Sequence, residues 1–132
     1  MGFMKVDRLK EVLQSISGLV DKQVLVGIPD SAPERQDDEP IGNAAIGYIQ
    51  ETGSPANNLP ARPFLVPGVA AAEPKTLPKL QQAVEAALDG DLSRADKRMA
   101  GAVLEAQNSV RARINSVISP ELKESTLANR RR

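Results

Sequence analysis

The sequence predicts an α+β fold, with a small mixed or antiparallel sheet packed against an N-terminal helix and a long helix in the C-terminal half. Three observations predict it. Apolar residues recur at helical spacing near the N-terminus, a short β-branched run ends on a proline at 23–29, and an apolar stripe recurs by threes and fours over 92–118. At 132 residues the chain is one domain's worth of polypeptide, without repeats or a low-complexity linker, so 1–132 reads as a single domain.

Taken in order, Val6, Leu9, Val12, Leu13, Ile16 and Leu19 predict an amphipathic helix over 4–17, with Gly18 placed to end it at positive φ. Residues 23–29 predict a strand stopped by Pro29. Residues 30–42 hold Asp30, Glu34, Asp37, Asp38 and Glu39 between prolines and without apolar period, which predicts an exposed acidic loop. Its carboxylates lack the spacing and central glycine of a calcium-binding loop.

Residues 43–52 predict a short helix capped by Asn43 and ended by Gly53, with Ala45, Ile46 and Ile49 on one face. The prolines at 55, 60 and 63 bias their predecessors away from helix, so an extended arm follows. Pro67 suits a first helical turn, and 67–88 predict a helix whose apolar stripe is Leu77, Leu80, Val84, Ala87 and Leu88, with a kink or restart at Pro74 or Pro78. After Asp89, Gly90 and Asp91, the pair Ser93 and Asp96 has the form of a capping box. The helix over 92–118 carries Leu92, Ala95, Met99, Val103, Ala106, Val110, Ile114 and Val117 and spans on the order of 40 Å. Ser119 and Pro120 end it, and a basic tail fills 119–132.

Composition narrows the chemistry. The chain has no His and no Cys, which removes thiolate nucleophiles, Cys-based zinc sites and the usual general base. Neither a phosphate-binding Gly-x4-Gly-Lys loop nor a Gly-x-Ser-x-Gly elbow occurs. The expectation is a protein that is not an enzyme and holds no cofactor or metal. Apolar stretches fall short of a membrane span and no signal pattern opens the chain, so a soluble, cytoplasmically made protein is expected. Phe3, Tyr48 and Phe64 are the only aromatics, so packing falls to Ala, Val, Leu and Ile, and neighbouring subunits could supply missing burial. The neutral net charge conceals a polarity: residues 1–60 carry five bases and nine acids, residues 61–132 twelve bases and eight acids.

The informative stretch is 46–67, Ile-Gly-Tyr-Ile-Gln-Glu-Thr-Gly-Ser followed after a spacer by Leu-Pro-Ala-Arg-Pro-Phe-Leu-Val-Pro. Proline reduces backbone freedom, so the arm holds Arg62 and Phe64 in a defined direction. Glu51 is the nearest candidate partner for the Arg62 guanidinium. The plainer alternative is a turn in which Phe64 fills the core and Arg62 reaches solvent along its stem.

The Glu-x-Gly element followed by Pro-Ala-Arg-Pro-Phe and a long helix resembles the head–tail joining proteins of tailed bacteriophages, variously called tail-completion, neck or minor tail proteins. The run Val24-Leu25-Val26-Gly27-Ile28-Pro29 matches that family's strand before a variable loop, and 119–130 resembles its segment after the long helix. Family members commonly continue into further β-structure beyond the point where this sequence stops. The resemblance implies a structural subunit of the virion neck, assembled in the host cytoplasm as a ring between a portal-proximal connector or stopper and the tail terminator or tail tube. A hexamer is implied on the tail side and a dodecamer nearer the portal, with non-specific contact to DNA in the lumen and none to membrane. Ring closure requires two different faces to meet. The residues expected at that interface are Asp37, Asp38, Glu51, Pro60, Arg62, Pro63 and Phe64 on one side and Arg94, Arg98 and Arg111 on the other, with Lys97 and Arg113 beside them.

Two other readings compete. A nucleic-acid-binding module would use the basic C-terminal half, against which stand the neutral net charge and the scarcity of stacking aromatics. A glycosidase would need two carboxylates fixed in a pocket, for which the sequence gives no sign.

Overall fold

The structure, a computed structural model, describes residues 8–30, 41–116 and 118–131. Among them it is helical: α1 (Leu9–Val20), α2 (Asn43–Thr52), a single 3-10 turn (Pro55–Asn57), α3 (Leu65–Leu88), α4 (Leu92–Asn115) and α5 (Glu124–Arg130). The predicted α+β class is therefore wrong for the described residues, which contain no strand and no sheet. Their β pairing is limited to one isolated antiparallel bridge between Ser54 and Leu59.

The reason lies in what a strand requires. The run 23–29 keeps period-two burial, with Val24 and Val26 half-buried around a Leu25 that is 80% exposed, yet it forms no ladder. An apolar β-branched run becomes a strand only when a second run supplies hydrogen-bond partners. The other short apolar run, Phe64, Leu65 and Val66, is drawn instead into the start of α3. The predicted acidic loop, with Asp37 and Asp38, lies largely at 31–40, outside the described residues.

The chain divides into two compact units, and the division falls within α3 and α4. The first comprises residues 1–26 and 71–109. Its core is built from alanines: Ala83, Ala86, Ala87 and Ala95 are buried, with Leu19, Leu92 and Met99 packed against them. Small side chains let helix backbones approach closely but remove little apolar area from water. The predicted stripe on α3 holds only in part: Ala87 is buried and Leu80 half-buried, but Leu77, Val84 and Leu88 are exposed and Ala83 and Ala86 take the interior.

Three local predictions in this unit are also corrected. Gly18 does not end α1, which continues to Val20. The Leu92 side chain lies where a Gly18 Cβ would point, 2.9 Å from it, so the glycine serves close packing. Ser93 is not the cap of α4. Asp91 is, its Oδ1 accepting the Arg94 N–H at 3.0 Å, and Gly90 turns the chain before it at φ 79°. No restart occurs at Pro74 or Pro78, both of which lie inside a continuous α3. Lys22 pairs with Asp96, and Lys79 with Glu105 at 3.4 Å, on the half-exposed surface of this unit.

The second unit comprises residues 27–70 and 110–132. Here α2 runs over the predicted residues, but Asn43 supplies no side-chain cap, Gly42 occupying that position. Of the predicted apolar face only Ile49 is partly buried; Ala45 and Ile46 are exposed, and Ala44 and Gly47 are partly buried in their place. Gly47 leaves room for Ile28 and Phe64, whose side chains lie within 4 Å of where its Cβ would stand. Phe64 itself is 7% exposed. On α4, Val110 is buried against Gly68, while Ile114 is exposed and the helix stops at Asn115, short of the predicted 118.

Candidate functional site

The motif residues converge in the second unit. Gly53 ends α2 at φ 78°, a conformation that glycine adopts without steric cost. A Cβ at Gly53 would stand 2.7 Å from the Ala61 nitrogen and 2.9 Å from the Leu59 oxygen, so the returning arm passes directly over it. Between them the chain makes a tight turn. Ser54 and Leu59 exchange both main-chain bonds, at 2.8 and 3.0 Å, and Asn58 takes the left-handed conformation asparagine tolerates. The Arg62 N–H then donates to the Gln50 carbonyl at 2.8 Å, laying the arm alongside α2.

This return brings Glu51 to the start of α3. Its carboxylate accepts the main-chain N–H groups of Phe64 at 2.7 Å, Leu65 at 2.9 Å and Val66 at 3.0 Å. The next residue, Pro67, has no N–H, so one side chain and one proline answer the donors that a helix start leaves unsatisfied. A negative charge there is also favoured by the helix dipole. Partial burial pushes the Glu51 pKa up, but the bonds from Leu65, Val66 and Phe64, with the nearby Arg113 charge, outweigh it and hold the carboxyl below its ordinary 4.5.

Arg62 does not pair with Glu51, contrary to the expectation from sequence. Its Nε donates to the Pro120 carbonyl at 2.7 Å and its Nη2 to the Glu121 carbonyl at 3.3 Å. Arg113 Nε donates to the Pro63 carbonyl at 3.4 Å. The Glu51 carboxylate is instead taken up by the main-chain N–H groups at the start of α3.

Among the residues expected at an interface, Glu51, Arg62, Pro63 and Phe64 thus form one bonded cluster, with Phe64 as its apolar plug. Pro60 and Arg111 are exposed in the same unit. Arg94 and Arg98 belong to the first unit, both exposed on α4, with Arg94 3.9 Å from Asp89. Sequence reasoning missed Pro120 and Glu121 as acceptors, because a main-chain carbonyl leaves no mark in side-chain identity. The described residues contain no group of three or more His, Cys, Asp or Glu able to hold a metal, and no helix long and apolar enough to cross a membrane. Comparison of the chain with family models, with characterised proteins and with solved structures finds no match.

Proposed function

We propose that this chain is a structural subunit of a tailed-bacteriophage neck, one copy of a ring that joins the head connector to the tail. The observation that carries the reading is the Arg62 bond pair. The two stretches that resemble joining proteins, 46–67 and 119–130, are far apart in sequence and meet through it. A motif whose charged residues are spent on main-chain groups fixes shape and leaves little for acid–base chemistry.

The packing supports assembly. The described residues hold no large side chain that is fully buried, and Leu9, Leu13, Val20, Leu77, Val84, Leu88 and Leu104 are exposed. Covering such side chains against another subunit is favourable at roughly 25 cal/mol per Å2 of apolar surface. A closed ring does this with two different faces of each copy.

Native mass spectrometry of the purified chain tests the reading. A closed oligomer, hexameric for a tail-side ring or dodecameric for a portal-side one, is the expected result. A chain that stays monomeric throughout the micromolar range overturns it.

A further inference from the structure

We propose that residues 118–131 form a strap that holds Arg62 in reserve, and that opening the strap frees its guanidinium for a carboxylate on a second copy of this chain. The proposal rests on the assembly reading above and names the contact that assembly would use.

Three observations carry it. The strap is bonded to the proline arm through one side chain, with Arg62 Nε on the Pro120 carbonyl at 2.7 Å and Nη2 on the Glu121 carbonyl at 3.3 Å. The strap itself buries little: α5 has no buried residue, and of 118–131 only Ile118 and Leu122 are even half-buried. Burial therefore contributes little to keeping it closed.

The third observation is chemical. A guanidinium offers planar pairs of donors that match a carboxylate, and a bond to an ionised acceptor is roughly twice as strong as a bond between neutral groups. In the closed strap Arg62 is matched with two neutral carbonyls instead. Meanwhile its own backbone is fixed, because the Arg62 N–H is bonded to Gln50 and the arm is seated over Gly53. Opening the strap would leave the side chain on a rigid base with its donors unspent. A carboxylate on a second copy that reached this base would compete with the strap for the same donors. The closed strap takes the Nε and Nη2 donors, the side-on edge of the guanidinium, so a carboxylate presented to that edge must displace it, and the strap raises the concentration at which copies associate through it.

The chain contains no cysteine, so introduced thiols can be addressed alone. Ala61→Cys and Lys123→Cys, both exposed positions, can be bridged in the full-length chain by a bismaleimide with a reducible spacer. Locking the strap should raise the concentration for half-assembly, read by native mass spectrometry, by about tenfold or more, the weight of one charged hydrogen bond. Cleaving the spacer should restore it. Arg62→Ala, with helix content checked by circular dichroism, should assemble no better than the locked chain. If the wild-type chain assembles and the locked chain assembles equally well, the strap proposal falls alone. If Arg62→Ala keeps its helices and assembles like wild type, it falls as well. A wild-type chain that never assembles removes the assembly reading and the strap together.

Discussion

Glu51 accepts the Phe64 main-chain N–H at 2.7 Å across thirteen residues of sequence, and the same carboxylate takes the next two N–H groups of α3. This one side chain closes the loop between α2 and α3. Glu51→Ala leaves those donors without a protein acceptor and should destabilise the fold by about 1–2 kcal/mol, read by urea denaturation. Glu51→Gln should lose part of that, because its amide oxygen still accepts while its NH2 group faces a donor. If both variants match wild type, the cap is energetically idle.

The same contact makes a pH prediction. The Glu51 carboxyl is held below its ordinary 4.5 in the folded chain. A lowered folded-state pKa gives stability that is present above the unfolded value and is lost as pH falls through the folded one. The stability gap between wild type and Glu51→Gln should therefore be full near neutrality and shrink below pH 4.5. The half-exposed position keeps the effect modest. A gap that is constant down to the acid transition would rule out an ionised Glu51 as its source.

Gly53 should tolerate no side chain. It combines φ 78° with a Cβ site 2.7 Å from the backbone nitrogen of Ala61, so neither the conformation nor the neighbour can yield cheaply. Gly53→Ala should cost about 1–3 kcal/mol and lower the thermal midpoint measured by circular dichroism. Preserved stability would mean that the arm can leave its seat without cost.

At the start of α4 the competing caps can be separated. Asp91 Oδ1 accepts the Arg94 N–H at 3.0 Å, which makes Asp91 the cap. Asp91→Ala should cost about 1 kcal/mol in chemical denaturation, whereas Ser93→Ala should stay within about 0.5 kcal/mol of wild type. The reverse ranking would restore the capping box expected from sequence.

These contrasts separate what residue identity discloses from what only packing decides. Helix α2 is legible in its bounds because Gly53 can only be a stop there, and α4 in its start and course, though not its end, because its stripe repeats over many turns. At 23–29 the residue types suit a strand, but no second run exists among the described residues to pair with it, so the α+β class does not follow. On α3, periodicity places Ala87 in the core correctly but also counts Leu77, Val84 and Leu88, where Ala83 and Ala86 take the interior instead. Alanine serves both as helix former and as close-packing core, so its placement is set by the neighbouring helix rather than by its own pattern. At the site, proximity in sequence suggested a Glu51–Arg62 ion pair. A helix start with unsatisfied N–H groups competes for the same carboxylate, and that competitor appears only once α3 is known to begin at Leu65.

Substitution should be costly at one of two buried or half-buried glycines and near neutral at the other, because what faces them differs. A Cβ at Gly68 would stand 2.8 Å from the Val110 Cα, and backbone within α4 has little room to withdraw. At Gly18 the nearest atom, at 2.9 Å, is the terminal methyl of Leu92, which a rotation can move. Both sites lie within helices, where alanine is favoured over glycine by about 1 kcal/mol. Gly68→Ala should therefore be net destabilising, by about 1–2 kcal/mol once overpacking exceeds the helix gain. Gly18→Ala should fall within about 0.5 kcal/mol of neutral, since the Leu92 adjustment and the helix gain are of similar size. Urea denaturation of the two single variants decides the matter. Equal effects at both positions would mean that close approach to the Val110 backbone does not limit the packing of α3 on α4 within the second unit.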